Sequence, residues 1–423
     1  MWIKGGMIFN PAKDSAVAGD IFIKGDLIEG IYPVGTARSD NETIDAAGMW
    51  VLPGLIDMHV HLREPGYEYK EDIHSGSLAA AAGGVTTMAC MANTDPVNDN
   101  PSVTRQIIDR AVKIGLARVL PVGAVTRGQK GKELAEIGIM KETGIVAVSD
   151  DGQPVEDSSV MRSALEYAAT FGLTVLSHPQ VKSLCGSGVM NEGALSTMLG
   201  LPGIPSAAED IMIARDIELS RYTGVPVHIT HVSTRGGIEL IRQAKAGGVG
   251  ITCDVTPHHL LLTEDAVKGY DTNTKMYPPL RMESDRFALI QGLRDAVIDC
   301  IATDHAPHAR DEKDLDYDLA PFGIIGLQTL LPAMMEIHYR YGIDFLKLLR
   351  CVSIHPARIL GIDGGTLTPG SRADITVVDP DKVFTLTKDM IVSKSKNTPF
   401  IGHEFKGGVM QTIFGGKTVF DQG

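Results

Sequence analysis

Cysteine is scarce in this chain. There are five in 423 residues (Cys90, Cys185, Cys253, Cys300 and Cys351), an odd number, widely scattered and without a Cys-x-x-Cys pair. That argues against a disulfide framework or a cysteine zinc site and suits a reducing cytoplasm, with the thiols serving as small buried hydrophobes. Long apolar runs are also missing. Nothing approaches the roughly 18 residues of a membrane-spanning helix. The start, "MWIKGGMIFNPAKD", lacks the basic and apolar regions of a signal peptide, so a cytoplasmic location is expected. No Lys/Arg-rich run occurs and the formal charge is −13, which disfavours a nucleic-acid partner. There is no Gly-x-Ser-x-Gly, no Gly-x-Gly-x-x-Gly and no Walker pattern. Serine-nucleophile chemistry and dinucleotide or nucleoside triphosphate binding are therefore poorly supported.

What is present fits a large domain plus a smaller one. With 43% hydrophobic residues the chain can bury a sizeable core. Both ends read as short strands punctuated by glycine and Asn-Pro turns, "MWIKGGMIF" and "AGDIFIKGDLIEGIY" at the start, "GTLTPGSRADITVVDP" and "GVMQTIFGGKTVFDQG" at the finish. Neither end has enough apolar residues for a core of its own, which predicts one small β-sandwich built from both termini, 1–50 and 363–423. Between them, 51–362 alternates eight apolar β-branched runs with helix-like stretches. The runs are 51–61, 84–93, 117–126, 144–152, 173–179, 225–233, 249–259 and 296–308. That rhythm predicts an α/β fold, a (β/α)8 barrel of the TIM type. One of its helices, "AAEDIMIARDIELSRYTG", is expected to be capped by Ser206 and stopped by Gly224.

Polar residues collect at the carboxyl ends of those runs, where barrels of this kind place their active sites. His59 and His61 end the first, Asn93 the second, Asp150 and Asp151 the fourth, His178 the fifth, His231 the sixth and Asp304 the eighth. In "DMHVHLREPG", His59 and His61 sit two apart and so share one side of a strand, while Val60 faces the helices. Imidazole and carboxylate suit zinc. Six donors exceed one tetrahedral site and suit two ions with a bridging carboxylate. Several alternatives stand at this level. Only one of Asp150 and Asp151 need face the mouth, and the other can be turn chemistry before Gly152. His228 and His231 lie on opposite sides of a strand, with His231 nearer its end. His258 and His259 are a ligand pair or structural. His74, His338, His355 and His403 read as structural or surface residues. His305 is expected to point away from Asp304, and His308 to reach over the mouth. The charged run 309–318 is a solvated loop or a lid.

"GLIDMHVHLREPG", "MANTDP", "SDDG", "GGVMNEGA", "HITHVST", "VTPHHLLLTED", "PPLR" and "TDHAPH", in this order, resemble dihydroorotases of the amidohydrolase superfamily, the type with Asp rather than a carboxylated lysine between the metals. The resemblance implies two zinc ions per subunit. His59 and His61 would hold the first with Asp304, His178 and His231 the second, and Asp151 both. Arg63 and Asn93 would bind the substrate carboxylate with His308. His61 and the backbone of Phe322 and Gly323 would also touch substrate. It implies reversible, metal-assisted closure of N-carbamoyl-L-aspartate to dihydroorotate, with Asp304 carrying the proton. A homodimer and a complex with aspartate carbamoyltransferase are the implied partners. Three positions depart from the family: Tyr277 where Asn is usual, "HPQV" in place of "HCED", and Gln328 where Glu is common. Tyr277 keeps a hydantoinase- or allantoinase-like activity as the alternative. A non-catalytic subunit would have lost metal ligands, and all six are present.

Overall fold

A computed structural model describes residues 1–37 and 42–423. Residues 38–41, within the N-terminal span 1–50, lie outside the described residues. The middle of the chain forms eight parallel barrel strands: Leu55–Val60, Val85–Cys90, Arg118–Gly123, Ala147–Val148, Thr174–Ser177, Val227–Ile229, Ile251–Val255 and Cys300–Ile301. Each falls inside one of the eight runs of the sequence. The ring closes between first and last strands through a Val60–His305 bridge and the amide of His61 donating to the His305 carbonyl at 2.8 Å.

The helices form where apolar residues recur every three or four positions. Pro101–Ile114 shows the logic. Asn100 accepts from the amides of Ser102 and Val103, Pro101 opens the first turn, and Gly115 ends the helix at φ 68°. Val103, Ile107 and Ala111 bury one stripe against the barrel. Helix Ala207–Thr223 ends at Gly224 as expected, but Ser206 is no side-chain cap. Its own backbone is helical, and its hydroxyl makes no capping bond.

The terminal strands join into one hydrogen-bonded sheet. From one edge it runs Lys417–Asp421, Glu404–Phe414, Ile375–Thr385, Trp50–Pro53, Trp2–Asn10, Ser15–Lys24 and Leu27–Tyr32, with Thr43–Asp45 paired beside Trp2–Asn10. The run 51–61 is therefore two strands, not one. Trp50–Pro53 pairs antiparallel with Ile375–Val378 in the terminal sheet, and the barrel begins after Gly54. Ile3, Ile8, Ile21, Val51, Ile375 and Ile413 share a small core that neither end fills alone. Thr376 and Thr412 donate their hydroxyls at 2.7 Å to the carbonyls of Gly84 and Ala81, fastening the sheet to the barrel. Phe9 adds an aromatic contact, its ring 4.7 Å from Trp50 and 5.3 Å from Phe345. Phe9→Ala is expected to lower stability by about 3–4 kcal/mol, read as a fall in the urea midpoint, with the barrel's metal content unchanged.

Candidate metal centre

The six predicted donors meet at the carboxyl ends of the barrel strands. His59 lies within the first strand and His61 just past it. Asp151, His178, His231 and Asp304 follow the fourth, fifth, sixth and eighth. Two donor groups result: His59, His61, Asp151 and Asp304 in one, Asp151, His178 and His231 in the other, with the ligand atoms of each group within 4.8 Å of one another. Asp151 is common to both. Its carboxylate lies 3.4 Å from Nε2 of His59, 3.4 Å from Nε2 of His61, 3.1 Å from Nδ1 of His178 and 3.4 Å from Nε2 of His231. Asp304 approaches His61 Nε2 at 2.9 Å and His59 Nε2 at 3.4 Å. All six residues are buried.

This arrangement fits a cation better than it fits internal hydrogen bonding. Nδ1 of His178 and Nε2 of His231 face each other at 2.9 Å, and both aim at the same Asp151 oxygen. His59 Nε2 has no hydrogen-bond partner, although two carboxylates lie near it. Burial favours neutral groups, yet the carboxylates of Asp151 and Asp304 outweigh it and push His59 up to about 10. Burial likewise opposes ionised Asp151, but His59 and the hydrogen bonds of His178 and His231 hold it well below the usual carboxylate range. The two carboxylates thus draw a proton onto buried His59, a positive charge that a divalent ion would supply in its place, leaving the imidazole neutral to ligate.

The neighbours explain why these side chains point inward. Asp150, the other candidate at the fourth strand, accepts from the amides of Val125 at 2.8 Å and Thr126 at 3.1 Å and from the Thr126 hydroxyl, so it anchors the adjacent strand end. His228 is bound through Nδ1 to Thr252 and through Nε2 to Asp254. Asp254 also accepts the amide of His231 at 2.7 Å, which holds that residue at φ 37°. Asp57 accepts from the amide and hydroxyl of Thr303, next to Asp304 at φ 48°. Left-handed backbone is costly for residues with a side chain, and Arg63 joins these two at φ 64°. Asp57 and Asp254 escaped the sequence reading. Their signal was a carboxylate within a strand: Asp57 two residues before His59 in the same alternation, Asp254 on the seventh strand.

The predicted substrate contacts are near but partly engaged. Asn93 Oδ1 lies 2.8 Å from His61 Nδ1 and selects the tautomer with Nε2 free. Arg63 Nε donates to the Pro307 carbonyl at 3.1 Å, and its Nη2 lies 3.5 Å from His308 Nε2. His308 donates to the Phe322 carbonyl at 2.7 Å. Gly323 has φ 130°, and a Cβ there would meet Ala306 at 2.7 Å, so only glycine fits. His259 is structural, bound to Thr256 and the Pro278 carbonyl, and His258 is buried with Nε2 unpartnered. His305 points away, taking the amide of Gly326 on Nδ1 and facing Glu71 with Nε2. In 309–318 most charged residues face solvent, but Lys313 and Tyr317 are buried.

A family model described as Dihydro-orotase-like matches residues 48–237. A dihydroorotase from Geobacter metallireducens is 53% identical over 418 residues, 99% of each chain. The chain belongs to the dihydroorotase family. A second such relative, from Pelotomaculum thermopropionicum, is 51% identical over 419 residues, covering 99% of this chain and 97% of its own. Among solved structures, the L-hydantoinase (dihydropyrimidinase) from Arthrobacter aurescens shares the fold, with a TM-score of 0.89 at 24% identity over 100% of this chain and 96% of that one. A D-hydantoinase from Thermus sp. gives 0.81 at 26% identity, over 99% and 95%.

Placed on this dihydroorotase-family chain, the three departures differ in weight. Gln328 is remote from the metal donors, bonded to the backbone of Met390 and Val392. Gln180, in "HPQV", contacts Glu209 and Cys185. Tyr277 is at the centre itself. Its ring lies 5.0 Å from His178 and 5.3 Å from Phe322, and its hydroxyl donates to Cys185 Sγ at 3.2 Å. Asn191 of "VMNEGA" and Arg281 of "PPLR" bond each other at 2.9 Å, beside the buried Arg281–Glu209 pair. These motifs stitch loops together rather than supplying donors. Because Asp254 fixes both His228 and His231, Asp254→Asn should weaken metal binding about 10–100-fold, measured by equilibrium dialysis against zinc.

Proposed function

We propose that this chain is a zinc-dependent dihydroorotase of pyrimidine biosynthesis. It interconverts N-carbamoyl-L-aspartate and (S)-dihydroorotate, holds two zinc ions per subunit and works in the cytoplasm. The observation that carries the reading is the pair of donor groups sharing Asp151, with the Arg63 guanidinium beside them. His59, His61 and Asp304 are assigned to one ion, His178 and His231 to the other, Asp151 to both. When bound, the ions supply Lewis acidity toward the amide carbonyl and make water acidic enough to attack near neutral pH.

The chain's own residues do the rest. Arg63 presents a planar fork to the substrate carboxylate, and Asn93 adds its amide. His308 and the backbone of Phe322 and Gly323 hold the ring edge. Asp304 takes the proton of the attacking water on its carboxylate and delivers it to the departing ring nitrogen. In the biosynthetic direction it removes that proton from the ureido nitrogen as the ring closes and returns it to the departing carboxyl oxygen, which leaves as water. The same reading takes the working unit to be a homodimer and keeps aspartate carbamoyltransferase as a candidate partner. A scaffold without catalysis would not need six intact donors.

A second reading, a cyclic amidohydrolase for hydantoin or allantoin, is favoured by one observation, the bulk of Tyr277 against His178 and Phe322. Turnover of dihydroorotate, hydantoin and allantoin by the purified protein separates the two. Dihydroorotate is expected to be the best substrate, and strong hydantoin turnover without dihydroorotate turnover would reverse the choice. Asp304→Asn is expected to keep about two zinc ions per chain by metal analysis and to lose roughly 100-fold or more in kcat. Near-normal kcat in that metal-replete variant would remove Asp304 from the proton path.

A further inference from the structure

The segment 393–397, "SKSKN", lies far outside the barrel in sequence, yet it is built into the barrel mouth. Its side chains alternate. Ser393, Ser395 and Asn397 are buried, while the two lysines between them are turned outward. Ser393 donates its hydroxyl to Glu71, and the amide of Lys394 donates to the same carboxylate at 3.1 Å. Glu71 in turn faces His305 Nε2 at 3.5 Å. Ser395 donates to the Lys70 carbonyl at 2.6 Å.

Asn397 makes the closest junction. Its Nδ2 donates to the Ala306 carbonyl at 3.1 Å and to the Gly323 carbonyl at 3.0 Å. Its Oδ1 accepts the amide of His308 at 3.1 Å, and its own carbonyl accepts the amide of Ile325 at 2.9 Å. Two carbonyls need donors and one amide needs an acceptor, so the carboxamide has a single satisfying orientation. One buried side chain thereby joins the loop after the eighth strand, 306–308, to the loop carrying Phe322 and Gly323. Lys313 reinforces the second loop, with Nζ on the carbonyls of Pro321 and Gly323.

We infer that Asn397 is a positioning residue: through the three hydrogen bonds of its carboxamide, the C-terminal segment sets the spacing between His308 and Gly323 and so completes the substrate-binding side of the mouth. The inference rests on the assignment of His308 and Gly323 to substrate contact made above. No side chain other than a carboxamide of this length supplies two donors and one acceptor at these positions. Asn397→Ala leaves the Ala306 carbonyl and the His308 amide without partners and the Gly323 carbonyl with Lys313 alone. The two loops keep the His308–Phe322 bond but lose their shared carboxamide, while the six candidate metal donors are untouched.

The test is steady-state kinetics with dihydroorotate alongside metal analysis and a thermal melt. For Asn397→Ala, KM is expected to rise about 10–100-fold, with kcat within about threefold of wild type and zinc content per chain unchanged. Lys396→Ala, whose ammonium bonds only the backbone of its own segment at Ile391 and Ser393, is expected to keep the wild-type KM. Asn397→Asp retains the size but not the donors and serves if the alanine variant does not fold. Its KM should rise as well. A wild-type KM in a folded Asn397 variant overturns the inference. So does loss of zinc and kcat together at constant KM, the signature of general structural damage. Absence of dihydroorotate turnover in the wild type rejects the functional reading instead, and the KM comparison is then made on whichever of hydantoin or allantoin the wild type hydrolyses.

Discussion

One carboxylate organises the barrel mouth. Asp151 lies within 3.4 Å of four imidazole nitrogens from three other strand ends. Four imidazoles and two carboxylates do not gather in a buried space spontaneously, because each loses hydration and several present lone pairs to one another. They are held there by the framework. Asp150, its immediate neighbour, spends both oxygens on the third strand's end, and those bonds leave Asp151 as the residue that faces the mouth. Adjacent, chemically identical residues thus take different roles.

The bonds that close the barrel are also those that aim its donors. Thr303 ties the eighth strand to Asp57 on the first, and His61 donates its amide to the His305 carbonyl. Asp304 lies between these ties, and its left-handed backbone is supported on both sides. Asp254 does the same for His231 from the seventh strand, which carries none of the six donors. Strain at His231 and Asp304 is therefore backed by buried carboxylates and strand closure at the functional end.

The barrel, and the strand ends at which the six candidate donors meet, were legible because both depend on local pattern. Apolar runs mark strands, and the polar residue that ends a run lands at the mouth in this architecture. His59 and His61 could be paired from their spacing alone. Choosing Asp151 over Asp150 could not be done that way, since both can face inward until a specific partner claims one. The resemblance to dihydroorotases made that choice, and the hydrogen bonds of Asp150 account for it. Asp57, Asp254, Glu71 and Asn397 were not legible for a related reason. Their partners lie on other elements, and although Asp57 and Asp254 stand within apolar strand runs, the local sequence does not say which group each one meets. Trp50–Pro53 was misjoined to the first barrel strand because Gly54 interrupts neither its apolar character nor its length. The pairing with 375–378 that separates it comes from the opposite end of the chain. Ser206 had the composition of a cap but not the backbone of one.

That pairing has a consequence for synthesis. The strand Trp50–Pro53, which continues the sheet of residues 2–32, leaves the ribosome early, and its hydrogen-bonding partner at 375–378 leaves more than 300 residues later. At about 5–20 residues per second, the N-terminal edge waits on the order of tens of seconds with apolar side chains such as Ile8 and Val51 uncovered. The barrel's eight strands are complete well before then, but the 393–397 segment that braces the mouth is not. The order of translation therefore makes closure of the terminal sheet and completion of the site nearly simultaneous, so a chain cut short before residue 397 carries every metal donor and still lacks a finished mouth.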